Sequence, residues 1–204
     1  MSMNTLGTLF DSLARVKIMR LFLLNQETLM TPAIIASRSN VTPTVARREL
    51  SILSRAGFIK RKKGHIDGKS KDGWIFDSRF EYTDSLQQFI FGTEFVDQNS
   101  LAKKFKKTGR VKLLLLSGIF NDSQNSRLDL LLVGDNLKRP TIEKIIRSLE
   151  AEIGKEINYS AFETEEFMYR ASMYDKLIRD VIDFPHEKII NVGNLLEQVP
   201  QSQL

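Results

Sequence analysis

The segment "TPTVARRELSILSRAGFIKRKKG", residues 42–64, constrains the fold more than any other part of the chain. Thr42 is a candidate N-cap, and Pro43 suits the first helical position because the N–H that proline lacks would be unpaired there. Apolar residues then recur at helical spacing until Gly57, a residue that favours the left-handed conformation found at helix ends. Consecutive basic residues, Lys60 to Lys63, follow. The pattern predicts a helix that starts at Pro43 and stops before Gly57, followed by a basic strand.

This predicted helix has two chemically different faces. At about 100° per residue, five side chains fall on the inner side: Val45, Ala46, Leu50, Ile52 and Leu53. The outer side carries short hydroxyls and arginines: Thr44, Arg47, Arg48, Ser51, Ser54 and Arg55. Such a face suits the major groove of DNA, because arginine reaches guanine edges or phosphates and short side chains allow close approach. A solvated amphipathic helix accounts for Arg47 and Arg48 equally well. Glu49 lies on the inner side, where the sequence offers it no partner.

Two shorter helices and a hairpin are expected around this helix. Ser12 is a candidate N-cap for an upstream helix, and Thr31-Pro32 repeats the threonine–proline start for another. Downstream, residues 58–63 and 74–80 have the composition of strands, and residues 64–73 are rich in turn formers. A basic hairpin beside a helix would contact DNA phosphates or enter the minor groove. Its basic residues are Lys60, Arg61, Lys62, Lys63, Lys69 and Lys71.

Residues 5–90 resemble the winged helix-turn-helix of bacterial and archaeal transcriptional regulators of the ArsR/MarR-like type. The most specific part is "TVARRELSILSRAGFIKRKKG", which is similar to their recognition helix, followed by "LxxAGFI" and a basic wing. The resemblance implies a DNA-binding domain over residues 1–83, with double-stranded DNA as the partner. Residues 84–110 are then expected to form a helical linker that also serves in dimerisation. The DNA-contacting residues that it implies are Thr42, Thr44, Arg47, Arg48, Ser51, Lys60, Arg61, Lys62, Lys63, Lys69 and Lys71.

From residue 111 the pattern changes to strands that alternate with helices. Strands are predicted over 111–117, 127–134, 156–162 and 187–193, and helices over 140–154, 163–171 and 174–183. This order predicts an α/β domain with a small mixed sheet over residues 111–204. The whole chain is therefore expected to be a two-domain protein of the α+β or α/β class.

The stretch "LLLLSGIFNDSQNSRLDLLLVGD", residues 113–135, resembles the minimal nucleotidyltransferase fold. The resemblance implies a Gly-Ser turn that holds nucleotide phosphates and two aspartates on one strand face that hold Mg²⁺. Gly118 matches the glycine and Asp129 the second aspartate. The departures are Ile119 in place of the serine, Arg127 in place of the first aspartate, and Asn158, Tyr159 and Ser160 where a third carboxylate belongs. We therefore expect no transferase activity, no bound metal and no cofactor.

Three interpretations remain for Asp129. The residue is a structural relic paired with Arg127, or it lies in a ligand cleft with Gly118 and Arg127, or it retains some catalysis with Asp122 or Asp135 as a substitute carboxylate. A cleft with a free arginine could take a phosphate without a metal, which makes a nucleotide or small-molecule effector a candidate ligand.

The charge of the chain is divided unevenly. Residues 1–110 hold 19 Lys and Arg against 10 Asp and Glu, whereas residues 111–204 hold 11 against 15. This split favours a polyanionic partner for the first half, although charge alone carries little weight. The chain has no cysteine, which excludes disulfides, thiolate zinc sites and cysteine nucleophiles. Charged residues interrupt the N-terminal apolar stretch, so we expect neither a signal peptide nor a membrane span. We therefore expect the protein to be cytoplasmic.

These observations predict a sequence-specific DNA-binding transcriptional regulator, expected to be a homodimer, with a degenerate nucleotidyltransferase-like domain for ligand sensing or partner binding. Two alternatives remain open. One is an active nucleotidyltransferase that uses the winged helix as a docking module. The other is an antitoxin-like protein that neutralises a partner toxin.

Overall fold

The computed structural model describes residues 3–66, 68–91, 97–120, 126–183 and 185–199. It is a mixed structure of helices and two small sheets. The chain divides into two compact units, one comprising Met1–Phe95 with Arg147–Glu156, the other Val96–Ile146 with Ile157–Leu204. These boundaries differ from the three predicted segments, since residues 84–110 are shared between the units. Within the described ranges, no helix has the length and apolar character needed to cross a bilayer.

The first unit begins with four helices, α1 (Met3–Leu9), α2 (Leu13–Leu24), α3 (Pro32–Arg38) and α4 (Pro43–Arg55). The predicted N-caps are confirmed. The side-chain oxygens of Ser12, Thr31 and Thr42 each accept a hydrogen bond from the backbone N–H three residues later, at 3.1, 3.3 and 3.4 Å. Each cap satisfies a donor that would otherwise have no partner in the first turn. Gly57 follows α4 with φ +73°, as expected for a residue that ends a helix.

A β-hairpin follows α4, with strands β1 (Ile59–Ile66) and β2 (Lys69–Phe76). Its register is unbroken from the pair Ile59 and Phe76 to the pair Ile66 and Lys69. The predicted loop over 64–73 is therefore wrong, and so is the extension of the second strand to residue 80. The turn formers misled because Gly64 and Gly73 lie inside the strands. A Cβ on either glycine would lie within 3.0 Å of the Leu29 side chain, so these glycines mark a close approach rather than a turn.

The core of the first unit lies among these elements and the next helix, α5 (Thr83–Phe91). Met30 forms an isolated β-bridge to the hairpin, since its N–H and C=O exchange hydrogen bonds with Trp74 at 2.9 and 2.8 Å. Of the residues predicted to face inward from α4, Ala46, Leu50 and Leu53 are buried, but Val45 is 37% exposed and Ile52 only half-buried.

An arginine is buried inside this unit. Arg20 of α2 is 1% exposed and donates to the backbone carbonyls of Ile90 and Glu152, at 2.9 and 2.8 Å. Burial lowers its pKa to about 10, so the guanidinium keeps its charge at neutral pH. The hydrogen bond from Arg20 to the Glu152 carbonyl explains in part why Arg147–Glu156 packs with the N-terminal residues. Nothing in the local sequence indicates this contact, because its partners lie far along the chain.

The second unit contains a four-stranded mixed sheet, as predicted. Its elements are α6 (Gln98–Phe105), β3 (Arg110–Leu116), β4 (Leu130–Asp135), the first half of α7 (Arg139–Ile153), β5 (Tyr159–Glu163), α8 (Thr164–Ser172), α9 (Lys176–Asp183) and β6 (Glu187–Asn191); α7 from Arg147 onward belongs to the first unit. The strand order is β5-β4-β3-β6, in which β4 and β5 are parallel and the other pairs antiparallel. Leucines of β3 and β4 are buried on both faces of the sheet.

Candidate nucleic-acid interface

The outer face of α4 is exposed as predicted. Thr42, Thr44, Arg47, Arg48 and Ser51 are all exposed, while the opposite side of the helix packs into the core. Arg55 lies on the same outer side in the last turn and is exposed as well. The structure thus brings two adjacent arginines, a third arginine and short hydroxyls to one solvent-facing surface.

The rotation of α4 is fixed by a buried carboxylate. Glu49 is 2% exposed and accepts hydrogen bonds from Arg15 Nε at 2.8 Å and from Ser12 Oγ at 3.0 Å. Arg15 also donates to the carbonyl of Phe10 at 2.7 Å. This network ties α4 to the start of α2 and answers the question of the Glu49 partner. The pair is 34 residues apart in sequence, so no local pattern could have revealed it.

The hairpin separates its basic residues onto two faces. Because residues paired across an antiparallel ladder share a face, Lys60, Lys62, Lys69 and Lys71 lie on one face. Arg61 and Lys63 lie on the other, together with the aromatic ring of Trp74. The Arg61 guanidinium lies 5.0 Å from the centroid of that ring, a cation–π contact. Lys62, Lys63 and Lys69 are exposed.

Lys60 is held at the base of the hairpin by an acidic residue. Its Nζ lies 3.0 Å from Asp77 Oδ1, and Arg79 donates to both Asp77 oxygens, from Nε at 3.1 Å and from Nη2 at 2.9 Å. The hydrogen bonds from Arg79 and then Lys60 hold the pKa of Asp77 well below its ordinary value. Lys60 therefore already pairs with a carboxylate of its own chain, whereas the prediction assigned it to a DNA phosphate. The spacing of Asp77 and Arg79 by two residues is the local signal that could have indicated this pair.

In the second unit, Asp129 joins two loops through its carboxylate. It is 4% exposed, with Oδ1 accepting from the Ile119 N–H at 2.9 Å and Oδ2 from the Asn158 N–H at 2.8 Å. Gly118 lies against it with φ +55°, and a Cβ at Gly118 would collide with Oδ1. Gly118 and Asp129 are thus brought together, and both oxygens of the carboxylate are engaged by backbone.

Arg127 does not pair with Asp129. Its Nε lies 2.9 Å from Asp180 Oδ2, and the Arg127 side chain is 55% exposed. The expectation of an Arg127–Asp129 pair is therefore wrong. Both residues also precede β4, which begins at Leu130. The prediction that they lie on one face of this strand is therefore wrong. The reason is that Asp129 is turned inward by the two N–H donors, whereas Arg127 reaches a neighbouring helix.

The other carboxylates considered for catalysis do not join Asp129. Asp135 lies at the far end of β4, about 20 Å away at the usual rise per residue. There it accepts a hydrogen bond from Thr164 at 2.5 Å and pairs with Lys112 at 3.0 Å, contacts that lower its pKa. Asp122 lies outside the described residues. Among the residues that are described, no group of three or more His, Asp or Glu side chains is placed to hold a metal ion.

A cavity of about 500 Å³ lies at the β5 edge of the sheet in this unit. It is lined by β5 residues Tyr159 to Phe162 and by side chains of α7 and α8, not by Gly118, Arg127 or Asp129. No local sequence pattern indicates this cavity, because its lining comes from three separate elements.

Comparison with family models, with curated proteins and with solved structures finds no match for this chain.

Proposed function

We propose that this chain is a sequence-specific DNA-binding regulator in which α3, α4 and the β1–β2 hairpin act as a winged helix-turn-helix. In this proposal α4 enters the major groove and the hairpin contacts the phosphate backbone. The C-terminal unit is a nucleotidyltransferase-like domain without catalytic activity.

The single observation that carries the proposal is the outer face of α4. Its exposed residues combine arginines, which can bind guanine edges bidentately, with Thr44 and Ser51, which are short enough for close approach. The buried Glu49 network supports the proposal because it fixes which side of the helix is presented. A recognition helix needs such fixed orientation, since base contacts are directional.

The hairpin supports a second, non-specific contribution. Lys62, Lys63 and Lys69 project from both faces of the β-ribbon beyond the Asp77 contact. Exposed lysines on a protruding ribbon are suited to phosphate contacts, which add affinity without sequence information.

The proposal that the second unit is not catalytic rests on the Asp129 carboxylate. Both of its oxygens accept backbone N–H bonds. An arginine, Arg127, stands where the family pattern has the first aspartate, and the residues at the start of β5 beside Asp129, Asn158 to Ser160, carry no carboxylate. A two-metal mechanism needs several free carboxylate oxygens around the ions.

The test is selection from a pool of random duplexes at low and at physiological salt, using the full chain. We expect a recovered motif that the Arg47→Ala variant reads with reduced discrimination, by about 1–3 kcal/mol at one base pair. The triple variant with alanine at Lys62, Lys63 and Lys69 should bind every sequence more weakly, with a salt slope reduced by about 2–3.

The matched control removes the same charge elsewhere, by alanine at the exposed residues Lys138, Lys144 and Lys176. It should retain the parent motif and the parent salt slope. Absence of any selected motif, or equal losses in the hairpin and control variants, would contradict the proposal.

A further inference from the structure

The β5 strand is an edge of the sheet with few features that discourage pairing. The strand order places β5 at one end of the second unit's sheet, hydrogen-bonded only to β4 within it. Edge strands of monomeric proteins are usually protected by charged residues, proline or a bulge. Of its five residues only the last, Glu163, is charged, and its carboxylate accepts from the backbone N–H groups of Asn136 and Leu137. The strand contains no proline, and its pairing with β4 has no register shift.

The hydrogen bonds to β4 determine which backbone groups of β5 point outward. The N–H of Leu130 donates to the carbonyl of Asn158, and alternate residues of a parallel strand bond to the same neighbour. Ser160 and Phe162 therefore turn their backbone groups toward β4. Tyr159 and Ala161 turn theirs toward the open edge, where each offers one N–H and one C=O.

The cavity beside this edge is flanked by helices with balanced charges. Arg139 and Glu143 of α7 line it together with Glu166 and Arg170 of α8. On α8 the two charges pair within the chain, since Arg170 lies 2.9 Å from Glu166 and 3.1 Å from Asp175. The charge argument therefore concerns α7, which presents Arg139 and Glu143 four residues apart. A two-fold axis perpendicular to a sheet places the two α7 helices side by side in opposite directions, so Arg139 would face Glu143 of the second copy.

We propose that two copies of this chain pair through their β5 edges, in antiparallel orientation, to form one continuous eight-stranded sheet. Tyr159 of one copy pairs with Ala161 of the other, which makes four backbone hydrogen bonds, and Ser160 faces its own counterpart at the two-fold axis. This interface does not depend on DNA binding. The resulting dimer also contains two copies of α4, the proposed recognition helix, as a DNA site with two half-sites requires.

A cysteine placed at the axis provides the first test, because the chain contains no cysteine. Residues opposite one another at a non-hydrogen-bonded antiparallel position have Cα atoms about 4.5 Å apart, within disulfide range. We expect Ser160→Cys to form a covalent dimer on mild oxidation in nearly all molecules. The matched control is Ser172→Cys at an exposed position of α8. It should run largely as a monomer in non-reducing denaturing gel electrophoresis.

Sedimentation of the unmodified chain and of charge variants provides the second test. Arg139→Glu should raise the dimer dissociation constant by at least about tenfold, and the double variant Arg139→Glu/Glu143→Arg should restore it to within about threefold. Lys144→Glu, an exposed neighbour on α7 that does not line the cavity, should leave it unchanged.

Any of three results would overturn the proposal. One is a monomer at all concentrations up to about 100 μM, where even a weak specific dimer forms. Another is a dimer that is unaffected by the Arg139 reversal. The third is a dimer in which Ser160→Cys cross-links no faster than Ser172→Cys, which would place the interface elsewhere on the chain.

Discussion

Replacement of Asp129 separates a structural role from a catalytic one. Asp129→Ala leaves the N–H groups of Ile119 and Asn158 without the carboxylate that accepts from them at 2.9 and 2.8 Å. A hydrogen bond to a charged group contributes about 1.5–3 kcal/mol, so two such bonds set a range of about 3–6 kcal/mol. Ile119 is half-buried and Asn158 exposed, so water can reach the freed donors. We therefore expect Asp129→Ala to lower the free energy of unfolding by an amount near the lower end of this range, about 3 kcal/mol.

Asp129→Asn keeps the shape of the side chain but offers one acceptor oxygen in place of two. We expect this variant to lower the free energy of unfolding by about half as much as Asp129→Ala, about 1.5–2 kcal/mol, because one N–H then faces an amide NH₂ group. The matched control is Asp135→Ala at the other end of β4, where the carboxylate is partly exposed, pairs with Lys112 and accepts from the Thr164 hydroxyl rather than from backbone N–H groups. Its loss should be much smaller than that of Asp129→Ala.

The assay is urea unfolding followed by far-UV circular dichroism, combined with hydrogen exchange of the β4 amides. Tryptophan fluorescence does not serve here, because Trp74 is the only tryptophan and lies in the first unit. A change below about 0.5 kcal/mol for Asp129→Ala would refute the structural role. Mg²⁺-dependent nucleotide incorporation that this variant abolishes without loss of stability would establish the catalytic role instead.

Three further predictions concern the first unit. Glu49→Ala should lower the free energy of unfolding by about 2–4 kcal/mol, since it strands the largely buried Arg15 charge; urea unfolding measures this, and a loss under 1 kcal/mol would contradict it. The lowered pKa of Asp77 contributes stability that is fully present above about pH 4 and is lost as the pH falls below it. Unfolding measured from about pH 2.5 to about pH 7 should show a shallower loss of stability toward acid in Asp77→Asn than in the parent. Equal slopes would contradict the assignment. Trp74 emission should change when DNA binds at the hairpin and stay constant if DNA binds elsewhere.

Local chemistry made parts of this fold readable from the sequence. The threonine–proline starts predicted the first residues of α3 and α4, because an N-cap and a proline act within one turn. The apolar runs predicted β3 and β4 within three residues at each end, since a strand buried on both faces needs an apolar residue at every position. The exposed arginines of α4 followed from the helical period alone.

Contacts distant in sequence had to be seen in three dimensions. Gly64 and Gly73 lie within strands rather than in the turn, and the Leu29 side chain lies where a Cβ on either glycine would be. The partner of Glu49 came from α2, and that of Arg127 from α9 rather than from its neighbour Asp129. In each case the sequence supplied a charge or a glycine whose local meaning was ambiguous. Packing then chose among the available partners, because burial makes an unpaired charge costly and leaves no room for a Cβ where two elements meet.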